Sequence, residues 1–517
     1  MHRRLSWLAS AASVAVAVAV IATPAAAVPR PPAKPSGFPI VTYALPSGAQ
    51  RLHFEVGPLP IQPGQNSISF SRRIPEPTVD GWVVGMTTNL HLADGTVPPV
   101  DVIHLHHGVW VNLSAQNPRD SRFFAAGEEK TAMALPAGYG YPFHATDKWL
   151  LSYMLHNQLS KPDQVWMTYD IDFIPAGSPA SQNMTTARPI WMDVRNPSAY
   201  PVFDVIKGSG HKGVYTYPDD ATNPYGAGPA RNQWTVDSDG VLLGTAGHVH
   251  PGGMHDDLWL TRAGAKAPAG HAKSGSANTV RLFDSVANYW EPAGDVSWDV
   301  GMTATPSTWR PVVHKGDVMS ITTSYDSKNA SWYESMGIMV VWMADGTTKG
   351  VDPFQNPKAV DVSGVLTHGH LAENNNHGGQ PDAKHYQDVR KAPSRVLPSG
   401  SVLPIADFAY EGDLSEAATV PSVVQGGSLT FRNDDATKGI WHTVTSCTAP
   451  CNRTTGIAYP LADTRVLFDS GELGRGGPPA VGTITFSTPT NLPPGTYTYF
   501  CRIHPFMRGA FRVVAKH

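Results

Sequence analysis

Residues 495–513 read GTYTYFCRIHPFMRGAFRV. The first six alternate in the manner of a strand, Cys501 ends it, and His504 and Met507 follow within one short loop. Thiolate, imidazole and thioether are soft to borderline ligands. One Cys with two His and a weak axial Met makes the trigonal site of blue-copper electron carriers. The second histidine has to come from a distant strand, and GIWHTVTSC (439–447) offers His442. The chain has only three cysteines. Cys447 and Cys451, in SCTAPC, stand close enough to close a small disulfide loop, leaving Cys501 unpaired and available as a thiolate ligand.

A disulfide implies an oxidising compartment, and the first 27 residues agree. MHRRLSWLASAASVAVAVAVIATPAAA has a basic start, an apolar stretch and an A-x-A-like end, the form of a secretory signal peptide. Arg3 and Arg4 raise twin-arginine export, although the surrounding motif is incomplete. The protein is expected to be secreted or otherwise extracytoplasmic, and no later stretch is long and apolar enough to span a bilayer. A net charge of -3 gives no electrostatic case for nucleic acid. Alternating runs such as RLHFEV and SISFSRRI, 48 Gly, 46 Pro and scarce helical periodicity predict an all-β chain. The expected order is signal peptide 1–27, Pro-rich linker 28–39, β-sandwiches over 40–190 and 191–385, a linker 386–399 around RKAPSRVLPSG, and a final domain 400–517.

The tail resembles the small cupredoxins, amicyanin most of all, in CRIHPFMRGAFRV and in GGSLTFRNDD ahead of His442. The resemblance implies a Greek-key β-sandwich with a type 1 copper on His442, Cys501, His504 and Met507.

Such a domain accounts for about a quarter of the chain, so another activity or a redox partner belongs to the remainder. Histidines gather there: His104, His106 and His107 in DVIHLHHGVWVN, His156 in WLLSYMLHNQ, and His248 and His250 in GTAGHVHPGG. Met336 follows in WYESMGIMVVW. His248 and His250 share one face of a strand and can grip a single ion. His106 and His107 point to opposite faces of a regular strand, so joint ligation needs a strand end or a bulge.

In order and type these residues resemble the copper type II monooxygenases that include peptidylglycine alpha-hydroxylating monooxygenase and dopamine beta-monooxygenase. That resemblance spans roughly residues 40–350 and implies two jelly-roll-like β-sandwiches, each holding one type 2-like copper across a solvent-filled cleft. His106, His107 and His156 match the electron-accepting site; His248, His250 and Met336 match the oxygen-binding, catalytic one. His104 shares a strand face with His106 and is assigned a supporting role. The polar residues that hold a peptide carboxylate in the peptide hydroxylase are replaced by Ala246, Ile338 and Val340. Each lost charged hydrogen bond is worth about 1.5 to 3 kcal/mol, which argues against peptide amidation and for a less polar substrate. LTHGHLAENNNHGG adds His368, His370 and His377, which match nothing in the family pattern.

The expectation is therefore a secreted copper- and dioxygen-dependent monooxygenase acting on a small molecule, fused to a blue-copper domain and supplied by an external electron donor. The alternative is a copper-binding electron-transfer protein without hydroxylase activity.

Overall fold

The strand Asp163–Pro175 carries its fold in its alternation. Val165, Met167, Tyr169, Ile171 and Phe173 are buried, while the residues between them are partly exposed. A period of two places one set on the core face, and each large side chain so buried contributes about 1.5 to 3 kcal/mol. This strand pairs antiparallel with Gln50–Ile61 on one edge and Gly81–His91 on the other. Its sheet faces a second, ordered Ser69–Arg72, Trp149–Asn157, Ile103–Asn112, Arg122–Ala126, and both contribute to one core.

The computed structural model describes residues 37–41, 43–62, 68–98, 103–116, 121–157, 161–195, 201–206, 208–290, 300–328, 332–347, 349–369, 392–411, 419–447, 467–475, 482–501 and 507–516, with backbone alone at 333, 447 and 508. Among these the chain is all-β: the only helical turns are short 3-10 segments, such as Asp434–Lys438. No helix there is long and apolar enough to cross a membrane.

A further sheet runs Arg188–Asp193, Gly337–Asp345, Gly240–Gly244, Val312–Val313, with Gly247–Val249 also paired to Gly337–Asp345. It packs against an eight-stranded sheet built around Gly253–Thr261, Ser276–Tyr289 and Val318–Asp326. Gly337–Asp345 is buried on both faces. Met339, Val341 and Met343 enter this core, whereas Trp342 and Ala344 enter the core of the preceding sheets. Double burial explains why GIMVVWMA reads as an unbroken apolar run. The strand beside the expected ligands is thus packed into both cores.

The C-terminal residues form two more sheets. One is ordered Ser394–Val396, Val420–Val424, Arg508–Val514, Gly495–Phe500, Thr445–Cys447; the other contains Ser401–Ala406, Leu429–Asn433 and Thr485–Ser487. Cys501 and Met507 belong to the core they share.

Candidate metal centres

Of the strand end or bulge that joint ligation by His106 and His107 calls for, the structure has a bulge. Strands Ile103–Asn112 and Trp149–Asn157 align His104 with His156 and Leu105 with Leu155, then slip so that His107 faces Met154. His106 is the extra residue. A bulge re-aims a side chain that a regular strand would send to the far face, and here it brings the Nδ1 atoms of His106 and His107 to 3.2 Å. Two nitrogens each about 2.0 to 2.1 Å from one ion are about 3 to 3.4 Å apart at right-angled to tetrahedral geometry, so this spacing fits shared ligation. His156 completes the expected set, its ring centroid 4.6 Å from that of His106 and 4.5 Å from that of His104.

His248 and His250 are set by pairing with the doubly buried strand. His248 lies opposite Ile338 and Val249 opposite Gly337, where the pairing ends, with His250 and Met336 the next residue on each chain segment. The Tyr325 hydroxyl accepts from the backbone N–H of both His250 (3.0 Å) and Met336 (2.9 Å) and donates to the Met336 carbonyl (2.6 Å). One fully buried phenol therefore fixes the backbone at both positions.

Both imidazoles are oriented through Nδ1. In His248 it lies 3.1 Å from Glu129 Oε2; in His250 it bonds the carbonyl of Glu334, a residue in the left-handed region at φ 56°. A carboxylate and a carbonyl can only accept, so Nδ1 carries the proton and Nε2 the lone pair in each ring. His248 Nε2 is buried and has no hydrogen-bond partner among the described residues. An acceptor on the far nitrogen is the usual support of a metal-ligating histidine.

Glu129 belongs to a buried polar loop that sequence reasoning passed over. Glu128, Glu129 and Lys130 are all buried. Glu128 accepts from the Leu105 N–H at 2.8 Å and lies 3.4 Å from Lys130 Nζ, while Glu129 accepts from Gly127 N–H at 2.7 Å. A Cβ at Gly127 would fall 2.6 Å from Glu129 Oε2 and 2.7 Å from His248 Cε1, so this position requires glycine.

The two expected sites are not separate. The ring centroids of His106 and His250 are 4.2 Å apart, and those of His248 and His250 are 5.2 Å apart. Where the monooxygenase resemblance implies a solvent-filled cleft, six imidazoles including His104 form one buried cluster, none more than 8% exposed. Burial, reinforced by repulsion from His250, His156, His107 and His104, holds His106 far below the usual imidazole range. Burial and His248 push His107 down to about 3, and burial lowers His250 as well. Burial alone would raise the Glu129 carboxyl, but its contact with His248 and the hydrogen bond from the Gly127 N–H bring it below its ordinary value. Neutral imidazoles are the metal-binding form. The donor set therefore fits a transition-metal cation.

A cavity of about 340 Å³ opens onto His107, His248 and Met336. Ala246 and Val340 line a smaller one of about 80 Å³, and Ile338 borders both.

In the C-terminal sandwich His442 and Cys501 are fully buried and Met507 is 1% exposed. His442 Nε2 lies 3.0 Å from Asp435 Oδ2, so Nε2 donates and Nδ1 faces Cys501 Sγ at 4.0 Å. Ligands about 2.0 and 2.3 Å from one ion are about 3.7 Å apart at a trigonal angle, close to that separation. The Thr443 N–H donates to the sulfur at 3.3 Å, and the Cys501 N–H donates to the Met507 carbonyl at 3.1 Å. Burial raises the Asp435 carboxyl, but His442, Lys438 and the Asp407 and Phe408 N–H groups together depress it below the ordinary carboxylate range. Three of the four expected ligands are thus together. His504 lies outside the described residues, as do Cys451 and the Cys447 side chain, His370 and His377. His368 bonds the Glu129 carbonyl through Nε2, tying it to the buried loop.

One other cluster was not anticipated: ligand atoms of His255, Asp257 and Asp284 lie within 4.8 Å of one another. Arg281 Nη1 stands 2.9 Å from Asp257 Oδ1 and 3.3 Å from Asp284 Oδ2, so the group is already an ion-pair network.

No family model and no curated protein matches the chain. Among solved structures, it is similar to a mutant of amicyanin in the Cu(I) form, with 20% identity over 26% of this chain and 95% of that one, TM-score 0.15. It is also similar to a copper-containing nitrite reductase from Thermus scotoductus SA-01, with 14% identity over 53% of this chain and 55% of that one, TM-score 0.16.

Proposed function

We propose that this chain is a secreted copper redox protein, a monooxygenase with its own type 1 copper domain. In this reading the one histidine cluster holds two neighbouring ions, His106, His107 and His156 the electron-accepting copper and His248, His250 and Met336 the copper at which dioxygen reacts; His442, Cys501, His504 and Met507 hold the type 1 ion. Division into sandwiches at 40–190 and 191–385 and a blue-copper domain at 400–517 belongs to the same proposal. The supporting observation is the paired orientation of His248 and His250, each with Nδ1 tied to a protein acceptor and Nε2 left as the lone-pair nitrogen.

Copper bound there would supply one-electron redox chemistry and the activation of dioxygen. The net reaction balances as R–H + O2 + 2 e⁻ + 2 H⁺ → R–OH + H2O, the electrons coming from an external donor through the blue-copper domain. The chain's own residues orient the imidazoles, hold those of His106, His107 and His250 neutral by burial, and would enclose the reacting C–H in the cavity bounded by His107, His248 and Met336. Fusion raises the donor domain's effective concentration at the acceptor. Burial of all six imidazoles favours the alternative, an electron-transfer protein without hydroxylase activity.

Copper counting, carbon monoxide binding to the reduced protein and oxygen uptake with a reductant test the reading. More than one copper per chain and a carbonyl signal abolished by Met336→Ile are expected, with stability changed by less than about 1.5 kcal/mol because the swap nearly conserves volume. Wild-type copper content, carbonyl binding and oxygen uptake in Met336→Ile would overturn the assignment.

A further inference from the structure

The cavity next to the histidine cluster has a composition that no metal site requires. His107, Val109 and Val111 lie on one face of Ile103–Asn112 and all line it, as period-two geometry dictates. Leu150, Trp191 and Ile338 add apolar wall, so beyond the imidazole and thioether end the lining is mostly hydrocarbon. At about 340 Å³ it sits at the lower end of ligand pockets, which run roughly 300 to 1,000 Å³. This volume suits one small molecule, not a peptide.

Arg122 also lines this cavity. Its guanidinium carbon lies 5.0 Å from the centroid of the Trp191 ring, and the Trp191 indole N–H donates to Asp193 Oδ2 at 2.8 Å, which fixes the ring. No carboxylate among the described residues forms an ion pair with Arg122. A cation stacked on an aromatic face keeps its in-plane N–H donors for another partner. The spacing along the strand is defined. Arg122 pairs with Val111, four residues beyond His107, so roughly 13 Å of strand separates the two registers.

We propose that this cavity binds a small organic anion with an apolar body, its carboxylate on Arg122 and its far end directed toward His107, His248 and Met336. As the statement of what is oxidised, the inference rests on the monooxygenase reading; as a statement of binding, it stands without it. Arg122 takes the anchoring role that Ala246, Ile338 and Val340 cannot, from a different strand.

The test is calorimetric titration of the full chain, before and after copper loading, with octanoate and octan-1-ol. Octanoate should bind at least tenfold more tightly than octanol. Arg122→Leu should abolish that difference while changing octanol affinity less than twofold. Arg122→Lys, which keeps the charge, should retain part of the preference, and Val109→Phe, which fills the cavity, should weaken both ligands; these two variants serve if Arg122→Leu does not fold. Octanoate binding no tighter than octanol, or a preference that survives in Arg122→Leu, overturns the proposal. Selective octanoate binding without oxygen uptake would sink the monooxygenase reading alone. Oxygen uptake without octanoate preference would sink this one alone.

Discussion

Glu129→Gln removes the carboxylate charge behind His248. Glu129 is 2% exposed and accepts from His248 Nδ1 at 3.1 Å and from Gly127 N–H at 2.7 Å. His248 uses Oε2 and the Gly127 N–H uses Oε1, so the amide keeps the shape but loses the charge and one of the two acceptors; with its oxygen turned to His248, the bond to His248 survives as a neutral one. A hydrogen bond to a charged group is worth about 1.5 to 3 kcal/mol and a neutral one about 0.5 to 1.5, a difference of about 1 to 1.5 kcal/mol. At about 1.4 kcal/mol per factor of ten, copper affinity at His248 should fall about tenfold, the lower end of the effect expected for outer partners of metal-bound histidines. Glu129→Ala removes the acceptor entirely and leaves two buried donors unsatisfied, which adds a folding cost of about 1 to 3 kcal/mol each. Competitive copper titration against a chelator measures the first effect and urea unfolding the second. The blue absorption expected of the proposed type 1 site at Cys501 would serve as an internal control. Unchanged affinity in Glu129→Gln, or equal loss at the blue site, would refute the assignment of Glu129 as a positioning residue.

Cys501→Ser should abolish the strong visible absorption of the oxidised protein by removing the thiolate, while leaving copper at the histidine cluster; absorption spectroscopy with metal analysis checks both. Tyr325→Phe strips the backbone groups of His250 and Met336 of a shared partner and should cost at least about 2 kcal/mol in urea unfolding, with weakened copper binding at those residues. Around Arg281, burial lowers His255, but the hydrogen bond and charge of Asp257 outweigh it and raise the imidazole; burial raises Asp257, but His255 and Arg281 outweigh that and lower it. The raised histidine stabilises fully below its unfolded value of about 6.5 and loses this as pH rises through its folded value. The depressed carboxylate stabilises above about 3.9 and loses this as pH falls through its folded value. The stability gap between wild type and His255→Gln should therefore be widest between about pH 4 and pH 6.5 and shrink by pH 9, as read by urea titration.

Strand faces and ligand types were legible because both are local. Alternation in RLHFEV follows from period two, and joint ligation by the adjacent His106 and His107 calls for a strand end or a bulge without any knowledge of the partner strand. The supporting residues depend on distant pairing. Glu129 and His248 are 119 residues apart in sequence, and GEEK reads as an ordinary polar turn until it is buried. Tyr325 looks like a core aromatic; only the register of three separate segments makes its hydroxyl a junction. Arg122 acquires its setting from Trp191, which follows it by 69 residues and comes from another sheet. The contact between His106 and His250 joins two motifs that each looked complete alone.

The bulge at His106 also bears on how such a centre can arise. Leu105 and His107 already occupy successive rungs opposite Leu155 and Met154, so the ladder on either side is in step without the residue between them. A one-codon insertion into a regular strand is enough to create the paired imidazoles, and a one-codon deletion enough to erase them. In either event the buried Trp110 and Leu105 stay opposite Leu151 and Leu155, because the bulge alone takes up the one-residue difference.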